Sequence, residues 1–370
     1  MKITDITVDR LRLELDPPFH AAWDPVPRRV FDASIVRVHT DEGVTGIGSG
    51  DSMDGFDAYR QLFVGEDPLQ ITRHVRAIET ANFHGGSYWP LEAALWDLIG
   101  KVHGRPVAEL FGNVAKSLPA YASTGELKSP EERVAVALQL RAAGFRAMKI
   151  RIDRNRVEQG VAAVAAVRAE LGPDFKIMVD LNQSWRMAGD TALATDLAAT
   201  RRLVARLAEL DVFWVEEPLP YPDVDGFKLL RAENPGLRIA AGEMHHSATE
   251  LLRYLERDVL DVYQMDVVLA IGMLRARTLA EVAHLKHRQF TPHSWTNGIG
   301  VLANLHVAAG VGGGPYFEYP YDPPGWTPQR RDFMLAEPVA VNQDGDIEVP
   351  ALPGLGVVLD EEAVERWRIR

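Results

Sequence analysis

After residue 115, short apolar runs recur at intervals of 23 to 36 residues, and each is followed by a segment with helical spacing. The runs are 119–123, 147–151, 177–180, 212–216, 239–242, 262–265, 290–292 and 316–318. A strand and a helix repeat about every 30 residues in parallel α/β folds, and eight such units close a barrel. We therefore predict an α/β protein with a (β/α)8-type, TIM-like barrel over residues 116–335.

An open, doubly wound sheet shows the same alternation of strands and helices. Such sheets often bind nucleotides through glycine-rich loops. The sequence contains neither Gly-x-Gly-x-x-Gly nor a loop that ends in Gly-Lys-Ser/Thr, and Gly46, Gly48 and Gly50 lack the required spacing. The barrel is therefore the favoured architecture.

The segments on either side of the barrel have different patterns. Residues 3–15 and 33–40 alternate apolar and polar side chains, which predicts a small antiparallel sheet, and residues 68–111 have helical spacing. We predict an α+β module over residues 1–115. The tail, residues 336–370, is too long for a frayed end and is expected to pack back on that module.

Charge and composition exclude several classes of partner. The 52 acidic residues outnumber the 40 basic ones, giving a net charge of −12, the wrong sign for attraction to nucleic acid or anionic lipid. No run reaches the roughly 18 apolar residues of a membrane span, and the N-terminus is charged where a signal peptide is apolar. We expect a cytoplasmic protein without nucleic-acid or membrane partners. The absence of cysteine restricts metal ligands to oxygen and nitrogen.

Carboxylates stand at the ends of three consecutive predicted strands. Asp180, Glu216 and Glu243 should converge there, because the active site of such a barrel lies at the C-terminal strand ends. Three ionised carboxylates need a cation to share a site, and oxygen ligands suit Mg²⁺ or Mn²⁺. Each residue alone would be typical of a solvated strand end. Glu217 competes with Glu216, but Pro218 begins the exit from the strand directly after Glu217.

Further titratable residues surround the predicted trio. Asp266 and His293 end neighbouring strands, so the carboxylate can hold one imidazole nitrogen and leave the other as a base. A helix N-cap for Asp266 and a buried structural role for His293 are the alternatives. Lys149 and Arg151 are two residues apart on one predicted strand, so their side chains point to the same side of that strand. They end on the far side of the carboxylate trio from His293. The positive charges of a divalent metal, Lys149 and Arg151 together exceed the negative charge of the three carboxylates. Such a site attracts an anion, so a small-molecule carboxylate is the expected substrate.

The substrate's α-proton would be very weakly acidic. A general base contributes about 10²–10⁴ in rate, so most of the barrier must fall through stabilisation of the enediolate. The metal and Lys149 are the expected stabilising groups, together with Glu318 if it is protonated and can donate a hydrogen bond.

Substrate specificity is expected from loops of the first module, residues 17–29 and 51–56, that close over the barrel mouth. The residues expected to contact the substrate are Asn182, His20, Trp23, His246 and Trp295. The alternatives are packing of Trp23 within its own module, a core role for Trp295, and His245 in place of His246. No role follows from the pattern of residues 186–202.

Five short motifs occur in a fixed order along the predicted strands. They are Lys149-x-Arg151, Asp180-x-Asn182, Glu216-Glu217-Pro218, Gly242-Glu243 and Pro292-His293. Together they resemble the enolase superfamily, in particular its mandelate racemase-like subgroup. The resemblance spans essentially the whole chain, including Ala94-Leu95-Trp96-Asp97 in the first module and Pro353-Gly354-Leu355-Gly356 in the tail.

This resemblance implies a capping domain over residues 1–115 and a homo-oligomer. It also implies roles for individual residues. They are Asp180, Glu216 and Glu243 as Mg²⁺ ligands, His293 with Asp266 as the catalytic dyad, and Glu318 as the electrophilic hydrogen-bond partner.

Arg151 departs from the family pattern, which usually has Lys-x-Lys at this strand. Arginine stays protonated and is a poor base, which argues against racemisation by two bases. We expect His293 to remove the α-proton, by resemblance from an R-configured carbon, and then to help the β-hydroxyl depart. The product would be a 2-keto-3-deoxy acid, and Arg151 would bind substrate oxygens. The alternatives are a racemase or epimerase, a lactone cycloisomerase, and a non-catalytic metal-binding homologue.

Overall fold

Three antiparallel strands and three helices form the first domain of the computed structural model, which describes residues 1–369. The strands are β1 (Ile3–Phe19), β2 (Arg28–Thr40) and β3 (Thr45–Gly50), paired in that order. The helices are α1 (Ile71–Phe83), α2 (Trp89–His103) and α3 (Val107–Phe111). The small sheet predicted from the alternating pattern is confirmed.

Helix α2 packs directly on β3 because that strand is rich in glycine. A Cβ atom on Gly46 would lie 2.1 Å from the Ala94 carbonyl oxygen, and one on Gly48 would lie 2.2 Å from the Pro90 carbonyl oxygen. These glycines therefore permit close packing between a strand and a helix, which explains their presence without any nucleotide-binding loop.

Eight parallel strands follow, hydrogen-bonded in a curled sheet. They are β4 (Ser117–Ser123), β5 (Ala147–Arg151), β6 (Lys176–Asp180), β7 (Trp214–Glu216), β8 (Arg238–Ala241), β9 (Val262–Tyr263), β10 (Gln289–Phe290) and β11 (Phe317–Pro320). Strand β11 pairs with β4, and the Thr291 hydroxyl donates to the Tyr316 carbonyl oxygen across the gap between β10 and β11. The predicted barrel with an α+β cap is confirmed.

Seven helices connect the successive strands of the barrel. They are α4 (Pro130–Ala142), α5 (Val157–Leu171), α6 (Leu197–Glu209), α7 (Val224–Glu233), α8 (Ala248–Glu256), α9 (Met273–Leu285) and α10 (Gly298–Val311). Their apolar faces and the outward side chains of the strands form the main core, to which α3 and part of α2 also contribute. No helix among residues 1–369 has both the length and the hydropathy to cross a bilayer.

The C-terminal segment contacts both preceding parts of the chain. It contains β12 (Asp346–Glu348) and α12 (Glu361–Trp367), and β12 pairs antiparallel with β4 of the barrel. The short helix α11 (Pro328–Arg331) lies between β11 and this segment. The Leu355 N–H donates to the Asp97 carboxylate on α2 at 2.8 Å, and the Ile369 N–H donates to the Arg10 carbonyl oxygen at 2.8 Å.

Candidate active site

A layer of inward-facing side chains fills the barrel below the strand ends. Tyr121 and Trp214 are fully buried there, and their rings pack edge to face at 5.3 Å. Side chains two residues further along each strand point inward again, one layer nearer the carboxyl ends. The buried polar residues of that upper layer are Ser123, Lys149, Asp180, Glu216, Gln264 and Glu318.

The carboxylates of Asp180, Glu216 and Glu243 converge as predicted. One oxygen atom from each lies within 4.8 Å of the other two, and all three side chains are buried. The Glu243 Oε2 atom has no hydrogen-bond partner in the described part of the chain, residues 1–369. Burial, reinforced by the Asp180 carboxylate, raises the pKa of Glu216 well above its ordinary value. Such a buried set of oxygens fits a divalent cation of the Mg²⁺ type.

Glu217 lies outside this trio. Its backbone has a left-handed φ of 48°, and its Oε1 atom accepts a hydrogen bond of 2.7 Å from the Tyr221 hydroxyl. The preference for Glu216 over Glu217 as the ligand on β7 therefore agrees with the geometry.

The Lys149 ammonium lies among several carboxylates. Its Nζ atom is 2.6 Å from Glu216 Oε1, 2.7 Å from Glu318 Oε1 and 3.4 Å from Asp180 Oδ2. Burial alone would lower the pKa of Lys149, but Glu216 and Glu318 outweigh burial and raise it. The side chain is therefore a fixed positive charge beside the trio.

Glu318 acts as a hydrogen-bond acceptor in this arrangement. It accepts from the Ser123 hydroxyl at 2.7 Å and from the Ser294 N–H at 2.6 Å, in addition to Lys149. Burial opposes ionisation, yet Lys149 and His293 lower the pKa of Glu318 to about 2. The condition under which Glu318 would donate a hydrogen bond, its protonation, is therefore not met: its neighbours are donors, so it remains ionised. It also lies inside β11 rather than at the end of that strand.

His293 and Asp266 form the predicted pair. The His293 Nδ1 atom is 2.9 Å from Asp266 Oδ2, and the Nε2 atom lies 3.7 Å from Glu243 Oε2. Burial would lower the pKa of His293, but Glu243 and Glu318 outweigh burial and raise it to about 10. The second imidazole nitrogen thus faces the carboxylate trio.

Asp266 is anchored by several donors. Its Oδ1 atom accepts from the Val268 and Leu269 N–H groups at 2.8 and 2.9 Å, and Asn304 Nδ2 lies 3.4 Å away. These donors keep Asp266 an acceptor, which directs the proton of His293 to Nδ1. Both members of the pair lie three residues beyond the ends of β9 and β10, rather than at the strand ends as predicted. The regular pairing of β9 with β10 ends early. Isolated backbone hydrogen bonds continue beyond it, such as the one that the His293 N–H donates to the Gln264 carbonyl oxygen.

The Arg151 guanidinium occupies the opposite side of the site. It donates to the Asp180 carboxylate, to Asn182 Oδ1 at 3.0 Å and to the Thr124 carbonyl oxygen at 3.1 Å. Its Cζ atom lies 4.5 Å from the centre of the Trp23 ring. Burial would lower the pKa of Arg151, but Asp180 outweighs it and raises the pKa.

The loop between β1 and β2 reaches the barrel mouth. The Ala22 N–H donates to the Gly125 carbonyl oxygen at 2.8 Å, and the Trp23 ring packs edge-on against Trp295 at 4.8 Å. The Trp295 Nε1 atom donates in turn to the Ser123 hydroxyl at 2.7 Å. Trp23 therefore packs against the barrel and not only within its own domain. In the second loop, Asp51 lies near enough to Asp266 and His293 to interact electrostatically.

The predicted substrate contacts fall into two groups. Asn182, Trp23 and Trp295 lie beside Arg151. His20 and His246 have exposed side chains, and no hydrogen bond or ion pair of either side chain occurs within residues 1–369. The alternative, His245, is buried, and its Nε2 atom is 2.8 Å from Glu250 on α8.

Three residues that contact the site were not predicted. Ser123 binds Glu318, Asn304 supports Asp266, and the Trp185 Nε1 atom donates to Glu243 Oε1 at 2.8 Å. Two of them had a signal in the sequence: Ser123 ends the first predicted barrel strand, and Trp185 comes shortly after Asp180.

Two family models match the chain. Residues 3–112 match the model described as mandelate racemase / muconate lactonizing enzyme, N-terminal domain. Residues 132–363 match the model described as enolase C-terminal domain-like.

Relatives with several activities align with most of the chain. D-galactarolactone cycloisomerase from Agrobacterium fabrum is 28% identical and covers 100% of this chain and 99% of the relative. D-xylonate dehydratase from Haloferax volcanii is 28% identical and covers 90% of this chain and 84% of the relative. The structure of a racemase from Streptomyces coelicolor with bound magnesium superposes with a TM-score of 0.84, at 26% identity, over 99% of this chain and 100% of the other.

Proposed function

Because the chain belongs to the mandelate racemase / muconate lactonizing enzyme family of the enolase superfamily, we propose that it is a metal-dependent dehydratase of a polyhydroxy acid. The relatives include sugar-acid dehydratases, cycloisomerases and racemases, so the family leaves the reaction open. The observation that carries the choice is the difference between the two sides of the site. A histidine paired with a carboxylate faces the trio from one side, and an arginine faces it from the other.

Asp180, Glu216 and Glu243 are the residues that would hold Mg²⁺ or Mn²⁺. When bound, such an ion neutralises negative charge that develops on the substrate carboxylate as the α-proton leaves. Lys149 supplies a fixed positive charge beside the same carboxylates, at 2.6 Å from Glu216. The divalent ion, when bound, and Lys149 would therefore stabilise the negative charge of the enediolate without having to reorient.

His293 performs both proton transfers in the proposed reaction. The Glu243 charge that raises the pKa of His293 would be offset by a cation bound to the trio, which leaves the Nε2 atom free to accept a proton. The Nε2 atom then removes the α-proton while Asp266 holds the Nδ1–H and stabilises the imidazolium. The electron pair of the broken C–H bond forms the C=C bond of the enediolate. That pair then moves to form the second bond of a Cα=Cβ double bond, which regenerates the carboxylate. At the same time the Cβ–O bond breaks, and the β-hydroxyl takes the proton from the imidazolium and leaves as water. The resulting enol tautomerises to a 2-keto-3-deoxy acid.

Racemisation would need a second proton donor and acceptor on the opposite side. Arg151 already donates to Asp180, Asn182 and the Thr124 carbonyl oxygen, and its pKa is raised. A guanidinium fixed in this way binds anions and does not exchange a proton at neutral pH. The single base therefore favours dehydration over two-base racemisation.

Cycloisomerisation of a sugar lactone is the second candidate, since it can also use a single base. A cycloisomerase relative that covers the whole chain supports it. The two reactions differ in mass balance, because dehydration releases one water and cycloisomerisation releases none.

A screen of aldonic acids, aldaric acids and their lactones with Mg²⁺ tests the proposal. We expect a 2-keto product with the loss of one water, formed by the wild type and lost in His293→Asn. An isomeric product of unchanged mass from a lactone would support the second candidate. No reaction with any compound, at full metal occupancy, would contradict both.

A further inference from the structure

The connection between β6 and α6, residues 181–196, borders a cavity that the proposed reaction does not use. This cavity, of about 190 Å³, lies directly beyond Arg151 and Asn182. Its other walls include Trp23 and the turn that follows β5, and none of the three carboxylates of the trio lines it. Arg151 and Asn182 belong both to this cavity and to the surroundings of the trio, because Arg151 donates to Asp180 and to Asn182. The cavity therefore adjoins the active site on the Arg151 side.

The arginines of this cavity already have acidic partners. The Arg154 Nη2 atom donates to both oxygens of Asp190, at 2.6 and 2.8 Å, and Arg186 Nε lies 3.7 Å from the same carboxylate. Asp190 is 17% exposed, and its hydrogen bond from Arg154 lowers its pKa, so it stays ionised. On the facing loop, Arg28 pairs with Asp24.

Unpaired donors remain available in the wall. Asn182 Nδ2 and Arg154 Nε are buried and have no hydrogen-bond partner within residues 1–369. The neutral Asn182 amide suits a hydroxyl oxygen of the substrate. A carboxylate in the same place would approach Asp190 and the other two aspartates of the wall, and like charges in close contact are strongly unfavourable. The three arginines of the wall do not offset this repulsion, because each already has an acidic partner.

We propose that residues 185–190, together with Trp23 and Arg154, form the subsite for the uncharged, hydroxyl-bearing end of the substrate, and that Asp190 rejects a second carboxylate. The inference rests on the proposed function and narrows its substrate class to aldonic acids, which carry one carboxylate, in preference to aldaric acids, which carry two. Asp190 thereby determines specificity by pairing with Arg154 and Arg186, so that neither guanidinium is free to bind a second carboxylate of the substrate.

The test compares aldonic and aldaric acids of matched configuration, such as galactonate and galactarate, with the wild type and Asp190→Asn. We expect the wild type to prefer the aldonic acid in kcat/KM by at least about tenfold. Asp190→Asn frees two guanidinium groups and should reduce this ratio by about tenfold. Asp190→Glu retains the charge and should keep most of the preference. Asp225→Asn, which opens an exposed ion pair with Arg257, is the matched control and should leave the ratio unchanged.

Binding provides a second readout that does not depend on turnover. Calorimetric titration of the Mg²⁺-loaded His293→Asn protein, with and without Asp190→Asn, should give the same ranking of the two acids. If neither acid is turned over but this ranking holds, the dehydratase proposal fails and the subsite stands. A preference of the wild type for aldaric acids, a ratio unaffected by Asp190→Asn in a folded protein, or no binding of either acid would overturn the subsite.

Discussion

The two sides of the carboxylate trio carry opposite chemistry. On one side, His293 is held by Asp266 and directs its second nitrogen toward Glu243. On the other, Arg151 is fixed by Asp180 and stacked on Trp23. The histidine can gain and lose a proton during turnover, whereas the arginine keeps its charge. This difference indicates that proton transfer takes place only on the His293 side and that the Arg151 side binds and orients the substrate.

Removal of the metal should have the largest effect. His293 and Arg151 both act on the substrate, and the metal bound to the trio would position that substrate between them. We expect chelation to lower activity by at least about 10³-fold, since a metal supplies several kcal/mol of charge stabilisation. Excess Mg²⁺ should restore the chelated wild type but not Glu216→Gln, with metal content measured in parallel. The control is Glu158→Gln, at an exposed ion pair with Arg206. Full activity of the metal-depleted protein would argue against a metal enzyme.

Asp266→Asn should have the next largest effect. The amide cannot stabilise the imidazolium as the carboxylate does, so turnover should fall by about 10²–10⁴-fold, the contribution of a general base. Steady-state rates of a folded, metal-loaded variant provide the measurement, with Asp225→Asn as the control. A loss smaller than that of Arg151→Met would reverse the roles assigned to the two sides.

Arg151→Met tests the binding side. Loss of hydrogen bonds from a charged group costs about 1.5–3 kcal/mol, which corresponds to about a 10- to 100-fold decrease in kcat/KM. Exchange of the α-proton with solvent should persist, because His293 remains. Loss of that exchange in a variant that still binds substrate would show that Arg151 takes part in proton transfer. Arg206→Met, at an exposed ion pair, should behave as the wild type.

Trp23→Phe should have the smallest effect. A phenyl ring stacks more weakly on a guanidinium, and a loss of about 0.5–1 kcal/mol corresponds to a two- to fivefold increase in KM. The value of kcat should change less, because Trp23 lies beyond Arg151 from the trio. A selective decrease in kcat at constant KM would contradict this assignment.

The sequence predicted the barrel strands and the carboxylate trio well for a physical reason. Buried strands require continuous apolar runs, and the alternation of side chains fixes which residues face the barrel interior. Asp180 and Glu216, two residues beyond the buried Met178 and Trp214, follow directly from this rule. The ends of strands β9 and β10 were harder to predict, because each strand has only two residues that form regular hydrogen-bonded pairs.

The supporting contacts of the site could not be predicted from the sequence. Ser123 meets Trp295 across a separation of 172 residues, and Asn304 approaches Asp266 from a helix that is buried throughout. No local pattern records such contacts, which depend on how distant elements pack. The ionised state of Glu318 was unpredictable for the same reason, since it depends on Lys149 and His293, which come from other elements.

Exchange of the substrate's α-hydrogen in D₂O tests the single-base account most directly. Metal-loaded wild type and His293→Asn are incubated with the acid that the wild type dehydrates, and deuterium at Cα of recovered substrate and at C3 of the product is measured by mass spectrometry. We expect the wild type to break the Cα–H bond and form a deuterated 2-keto-3-deoxy product, and His293→Asn to leave that bond intact. Cleavage of the bond by His293→Asn at the wild-type rate would contradict removal of the α-proton by His293.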